Sequence, residues 1–475
     1  MSQDPRGIQE GYAMLWKSLK DMAADLRPAF TADKSGVSIV DRSLLVDEKV
    51  DRLVYNSIFN ERSDIMEASR WLIRACCAAL DVHPASIQDY YMAKGKGKYL
   101  GVTVPAINIR GMTYDVARVV LRAAKEKEAG AVIFELARSE MGYTAQPPAE
   151  YAACVMAAAM REGYQWPMFI QGDHFQVKAS VFKKDPDKEL GALRKLVGDA
   201  LAAGFYNIDI DSSTVVDLER PTIKEQQSSN FEVAAELTRH IRGAEPAGIT
   251  VSVGGEIGEV GGKNSTVEEL TAFMEGYLET LGGGTGLSKI SVQTGTSHGG
   301  VVLPDGTLAQ VKIDFKVLEE LSKVARERYG MSGAVQHGAS TLPEEAFDHF
   351  PRTGCAEVHL ATGFQNIIYD NPKFPADMKE DIYSFIRSEL AGEKKESDSD
   401  DQFIYKTRKK AFGPFKKAFW DLPPSVKDPI LDELSVKFKL LFDKLGTAGS
   451  APGVLETVKP KAVKAPAPPS LTEGL

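Results

Sequence analysis

The sequence predicts an α/β protein built on a (β/α)8 barrel. Three observations predict it. Eight short apolar runs, each of strand length, lie between about residues 96 and 391. Helix-like stretches with apolar residues at three- and four-residue steps separate them. Many of those stretches stop at a glycine, as helices often do, and the whole segment has the length of one such barrel. A count of strands does not show closure, so a doubly wound open sheet is the alternative topology.

In chain order, residues 1–95 read as a helical region: "GYAMLWKSLKDMAADL", "VDRLVYNSIFN" and "DIMEASRWLIRACCAAL" each carry an apolar stripe. Such stripes need a partner, so these helices are expected to pack on the barrel or form a subunit contact. "MAKGKGKYLG" reads as a basic, glycine-containing connector. The strands follow as "GVTVPAINI", "AGAVIFELA", "WPMFIQGDH", "GFYNIDID", "GITVSVGGE", "LSKISVQTG", "MSGAVQHG" and "CAEVHLATG". The helical stretch near "LPEEAFDHFPRTG" is shorter than the others. Residues 392–445 hold a charged linker, "GEKKESDSDDQ", and a helical segment around "PSVKDPILDELSVKFKLLFDKLG". Residues 446–475 are rich in Pro and Ala and are expected to be disordered.

Composition narrows the function classes. A formal charge of −9 argues against a general nucleic-acid binder, which needs a basic face, while leaving room for a local phosphate pocket. The cysteines Cys76, Cys77, Cys154 and Cys355 contain no C-x-x-C pair and are too few for a disulfide framework. No uncharged apolar run reaches membrane-spanning length, and the start shows no basic-then-apolar signal pattern. The expectation is a cytoplasmic protein that binds neither membrane nor nucleic acid.

In a barrel of this type the chemistry gathers at the carboxyl ends of the strands. Strand three ends in Asp173-His174, strand four in Asp209-Ile210-Asp211, and strand five in Glu256 followed by "IGEVGGKNS". Strand six ends in "TGTSHGG" with His298, strand seven in "VQHGAST" with His337, and strand eight in "VHLATGFQN". Three of the chain's seven histidines therefore fall at strand ends. Three imidazoles at one barrel mouth match a catalytic zinc site, which takes three protein ligands and leaves one position open. His83, His240 and His349 lie in helical or connecting stretches and read as surface or packing residues. His359, just inside strand eight, suits the core or the substrate equally. "HGAST" and "ATGFQN" offer small residues and backbone N–H groups to a phosphate.

"GDH", "GEIGEVGG", "GTSHG" and "HGAS", in this order on these strands, resemble the class II, zinc-dependent fructose-bisphosphate aldolases and their ketose-bisphosphate relatives. "VPAINI" is similar to that family's first strand, with Asn108 as the substrate-facing asparagine. The resemblance covers about residues 96–391. It implies one catalytic Zn2+ per chain held by His174, His298 and His337, with room for a second ion or a monovalent cation, and Glu256 beside the metal. It implies that Asp173 moves the hydroxyl proton of the substrate. It implies that Gly299, Gly338 and Ser340 hold the phosphate of dihydroxyacetone phosphate, with Thr362 near it. A sugar-phosphate substrate, a place in glycolytic carbohydrate metabolism, and a homo-oligomer (dimer or tetramer) go with it. In that chemistry the zinc polarises a carbonyl next to a developing carbanion.

The departures bear on the substrate. Lys263-Asn264 stand where relatives often carry an acidic pair that includes the base, so Glu259 in the same loop is the replacement base the sequence offers. His359 and Ala361 stand where the family's last strand has Asn and Asp. Glu135 and Ala137 stand where its second strand has Gln and Ser. Two other readings stay open: a metal-dependent barrel lyase with a different carbonyl substrate, and a catalytically weak aldolase-like binding protein.

Overall fold

The computed structural model describes residues 14–258, 262–295 and 312–471. Eight parallel strands close into a barrel: β1 (Val104–Asn108), β2 (Ile133–Ala137), β3 (Met168–Gln176), β4 (Asn207–Asp211), β5 (Ser252–Glu256), β6 (Lys289–Val292), β7 (Ala334–Gln336) and β8 (Glu357–Leu360). Each pairs with its neighbours in sequence order, and β8 returns to β1 through Glu357↔Val104 and His359↔Ala106. The barrel is therefore closed, and the open-sheet alternative falls away. Nearly every strand residue is buried, which is why these runs read as continuously apolar rather than alternating.

The outer helices are α1 (Thr113–Glu126), α2 (Pro148–Arg161), α3 (Pro186–Ala203), α4 (Ser228–Ala244), α5 (Val267–Leu281), α6 (Phe315–Tyr329), α7 (His349–Arg352) and α8 (Thr362–Asp370). Their ends follow the local chemistry. Thr266 caps α5, its side chain accepting from Glu269 N, and Glu269 returns the bond, so two orphan donors are satisfied. Gly204, Gly282 and Gly330 end α3, α5 and α6 with left-handed backbone. The shortest outer helix is α7, in the stretch where the sequence shows the weakest helical pattern.

The N-terminal region departs from the all-helical expectation. Phe30–Asp33 and Gly36–Ile39 form an antiparallel hairpin. Asp33 Oδ1 accepts from both the backbone N–H and the hydroxyl of Ser35, and Gly36 takes φ +151°, so the turn chemistry of "DKSG" overrides the helical reading. The helices Val50–Phe59 and Ser63–Ala79 pack on α2, with Arg70 reaching Glu150 at 3.4 Å and Arg161 reaching Asp47 at 2.8 Å.

The segment after residue 446 is also corrected: it is ordered through residue 471. Ala451–Thr457 form a helix whose Val454, with Val458, packs among Tyr90, Tyr91, Ile133 and Phe169 at the amino-terminal end of the barrel. Further along, Ala465 O accepts from Trp71 Nε1 at 3.0 Å. A few apolar residues spaced through a Pro- and Ala-rich stretch suffice to seat it, which composition does not show. No helix of the described residues is long and apolar enough to cross a membrane.

Candidate active site and metal centre

The carboxyl ends of the strands open into a cavity of about 990 Å³. Asn108, Asp211 and Glu256 are each the last residue of their strand, and His337 follows the last residue of β7, so the barrel delivers them to one level.

β3 carries the feature that alternation alone does not allow. Its register with β4 shifts between Gly172 and Phe175, a bulge, and His174 takes φ +39°, rare for a residue with a side chain. A Cβ on Gly172 would stand 2.4 Å from the Phe175 ring, so glycine is needed for that ring to fold back beneath the bulge. The result is that Asp173 and His174, neighbours in sequence, both line the cavity.

His174 Nδ1 lies 3.1 Å from Asp211 Oδ2, and Asp211 is itself fixed by Gln176 Nε2 at 2.6 Å and the Ser213 hydroxyl at 2.7 Å. A carboxylate behind an imidazole sets which ring nitrogen faces outward. The rings of His174 and His337 have centroids 4.2 Å apart. Glu256 Oε2 lies 3.4 Å from His337 Nδ1 and 3.9 Å from His174 Nδ1. Ligand atoms of His174, Glu256 and His337 all lie within 4.8 Å of one another, and those of Asp173, His337 and His359 do so too. Burial, helped by the charge of Asp211, pushes the Glu256 carboxyl up to about 8, while Gly258 N donates to its Oε1 at 2.9 Å.

Asp173 is buried, and burial alone would raise its pKa, yet the imidazoles of His174 and His359 hold it well below the usual carboxylate range. Its Oδ1 has no hydrogen-bond partner among the described residues. Asn108 Oδ1 is in the same state, while its Nδ2 donates to Glu140 at 2.5 Å. Glu140 also pairs with Arg110 at 2.8 Å, which places a guanidinium on the cavity wall.

On the side of β7 and β8, Gly338 takes φ +69°, and Ser340 Oγ accepts from Ala361 N at 2.7 Å. That bond ties the loop after β7 to the entry of α8, where Thr362 is the first residue. Gly338, Ser340 and Thr362 all line the cavity. His298, Gly299 and Glu259 lie outside the described residues. Of the departures, Lys263 points outward to Glu269 at 3.2 Å, while Glu135, Ala137, His359 and Ala361 line the cavity.

The sequence reading missed several residues. Asp211 was named only as part of a strand end, although an acid in place to hold a neighbouring strand's histidine is a signal in itself. Lys289 and Glu357 went unremarked inside "LSKISVQTG" and "CAEVHLATG"; a charge in a strand buried on both faces is the signal that finds them. Lys409 and Lys410 of the C-terminal region also reach the cavity wall, and nothing local in "TRKKAF" announces it.

The model of the family described as "Fructose-bisphosphate aldolase class-II" matches residues 94–412. A curated relative named "Fructose-bisphosphate aldolase" from Rhizobium meliloti is 25% identical over 371 residues, covering 73% of this chain and 86% of its own. Among solved structures, a probable tagatose 6 phosphate kinase from Sinorhizobium meliloti aligns with a TM-score of 0.52 at 16% identity, over 74% of this chain and all (100%) of that one. A fructose-bisphosphate aldolase from Campylobacter jejuni aligns with a TM-score of 0.45 at 16% identity, over 76% of this chain and 94% of that one. At 16% identity the likeness to the first of these structures speaks to the fold alone, but the family match spans most of the chain and ends on the segment that carries Lys409 and Lys410. The chain belongs to the class II fructose-bisphosphate aldolase family.

Proposed function

We infer that this protein is a zinc-dependent aldolase that reversibly cleaves a phosphorylated ketose, similar to fructose 1,6-bisphosphate, into dihydroxyacetone phosphate and an aldehyde. The observation that carries the reading is the meeting of His174, Glu256 and His337 beside the cavity-facing carboxylate of Asp173.

The donor set suits a divalent ion. Two imidazoles and a carboxylate are ligands that zinc and its first-row neighbours accept. His174 and His337 would hold the ion, with Glu256 beside them and His298 as the ligand the sequence adds. Bound there, the ion supplies Lewis acidity toward a carbonyl oxygen.

The chain's own groups account for the rest. Cleavage of an aldol removes the proton from the hydroxyl on one side of the breaking carbon–carbon bond. Asp173, ionised and lining the cavity, takes that proton and returns it in the condensation direction. The carbon left with the electron pair then needs a proton, and Glu259 is the residue the sequence offers for it. The phosphate of the dihydroxyacetone half is received by the Gly338–Ser340 loop and the first turn of α8, where backbone N–H groups and the helix dipole favour an anion. Lys409 lines the cavity too, with Arg110 and Lys410, which are paired to Glu140 and Glu393, and this basic group is the candidate for the anionic end of a second half.

The test is release of dihydroxyacetone phosphate from fructose 1,6-bisphosphate, tagatose 1,6-bisphosphate and fructose 1-phosphate, before and after chelation. At least one is expected to be cleaved, with activity lost to chelator and restored by zinc. Cleavage insensitive to chelator, or no cleavage of any of the three, overturns the reading.

A further inference from the structure

Two of the departures from the family pattern meet each other. His359 Nδ1 on β8 lies 2.8 Å from Glu135 Oε2 on β2. The same nitrogen lies 3.2 Å from Asp173 Oδ1 on β3. The three residues sit on strands that are not all adjacent, and they meet because all three side chains point into the barrel.

The other side of the ring is anchored. His359 Nε2 lies 2.6 Å from Glu357 Oε1, two residues back on the same strand. That oxygen also accepts from Lys289 Nζ at 2.5 Å and from Gln171 Nε2 at 2.7 Å, and Tyr91 donates its hydroxyl to the second oxygen. Lys289 bonds Asp209 as well, at 2.9 Å, in space that exists because residue 254 is glycine: a Cβ there would stand 2.3 Å from Asp209 Oδ1. Glu135, Asp173, Lys289, Glu357 and His359 are all at most 5% exposed.

Ligand atoms of Glu135, Glu357 and His359 also lie within 4.8 Å of one another, as in a metal site. The Lys289 ammonium already balances Glu357, and Gln171 and Tyr91 fill its remaining acceptor positions, so this group is closed by the protein itself. What it leaves open is the Nδ1 side of His359, which faces two carboxylates at once. A ring whose far nitrogen is fixed cannot turn away from them.

We propose that Glu135 and His359 act as one unit that positions Asp173, the imidazole holding the Asp173 carboxylate from within the barrel while Glu135 balances the imidazole. Exchanging one member alone leaves the other's buried polar atoms without their counterpart: without His359, Glu135 and Asp173 face each other, and without Glu135, the His359 Nδ1 side faces Asp173 alone. Exchanging both removes the two groups together and leaves neither without its counterpart. Both residues also line the cavity, and the role assigned to the unit is exerted through Asp173. The inference rests on the aldolase reading and on the role of Asp173 within it.

The test is a mutant cycle of Glu135→Gln, His359→Asn and the double variant, read as kcat and KM for the best-cleaved ketose phosphate, with metal content and melting temperature measured on each. Each single change is expected to lower kcat by roughly tenfold or more with KM little changed, and the double variant to lose no more than the worse single, far less than the product of the two. In an Asp173→Asn background, His359→Asn is expected to lower kcat no further. Independent, multiplying losses, or a His359→Asn effect undiminished in the Asp173→Asn background, overturn the proposal. Where a single variant does not fold, a double variant that folds and melts near the parent supports the unit, and one that also fails to fold overturns it. A parent inactive on every ketose phosphate is a different failure, since it removes the aldolase reading itself.

Discussion

The barrel holds two polar clusters, one above the other, and they are built on opposite terms. In the lower one, Lys289, Gln171, Tyr91 and Glu357 answer one another's hydrogen bonds within the protein, and the Lys289 ammonium stands 2.9 Å from Asp209 as its ion-pair partner. Burial would strip the proton from Lys289, but the Asp209 and Glu357 carboxylates hold it on. In the upper one, His174, Glu256 and His337 converge around a cavity that Asp173 and Asn108 also line. The lower cluster reads as structure and the upper as a binding site. His359 belongs to both, with one nitrogen on Glu357 and the other beside Asp173.

The contrast breaks most sharply at Asp173. Asp173→Asn keeps the shape of the upper cluster and removes its proton acceptor. Turnover of the cleaved ketose phosphate is expected to fall by about 10²–10⁴-fold, with metal content and melting temperature near those of the parent. Loss of metal instead would move Asp173 from proton transfer to metal binding.

Lys289→Met tests the lower cluster in the opposite sense. It leaves Glu357 and Asp209 buried without their cation, a change that costs about 3–5 kcal/mol of stability. Denaturant unfolding is the measurement. Metal binding by the remaining folded protein is expected to survive, because Lys289 does not reach the upper cluster's ligands. A variant as stable as the parent would mean that the lower cluster is not held together by charge.

Asp211→Asn sharpens the upper cluster. Carboxylates that orient a ligating histidine typically contribute 10–100-fold to metal affinity, and a loss in that range is expected by metal-buffered titration. The pH dependence adds a second reading. Glu256, which burial and the Asp211 charge push up to about 8, must lose its proton to stand beside a metal, and so must His174, which the Asp173 and Asp211 carboxylates push up against burial, so affinity in the parent rises with pH. Removing the Asp211 charge moves that rise to lower pH. An unchanged rise would show that Asp211 acts on neither group.

The two clusters also differ in how far the sequence reveals them. The upper one is written at strand ends, where a parallel barrel must put its chemistry, so Asp173, His174, Glu256 and His337 could be picked out from position alone. The bulge that lets Asp173 and His174 share one cavity could not, because it depends on Phe175 folding against the missing side chain of Gly172. The lower cluster is spread over four strands and an N-terminal helix. Each member looks like an isolated polar residue in an apolar run until closure brings them together. The hairpin at residues 30–39 and the ordered segment after 446 were missed for a related reason. The first is decided by one turn, and the second by a few apolar contacts with distant parts of the chain.

The smallest effect tests how far the lower cluster extends. Tyr91 comes from the helix Gln88–Gly95, before the first barrel strand, and its hydroxyl donates to Glu357 from below. Tyr91→Phe keeps the ring, which is fully buried among apolar neighbours, and deletes only that donor. Glu357 keeps Lys289, Gln171 and His359, so its charge stays balanced and the loss is that of one hydrogen bond to a carboxylate. About 1–2 kcal/mol is expected, read from denaturant midpoints at unchanged slope. Because Glu357 anchors His359, and His359 stands beside Asp173, kcat is expected to fall slightly while KM and metal content stay at the parent's values. A fall in metal content would show that the two clusters are not separable. A loss of stability as large as that of Lys289→Met would show that the N-terminal helix, rather than the lysine, closes the lower end of the barrel.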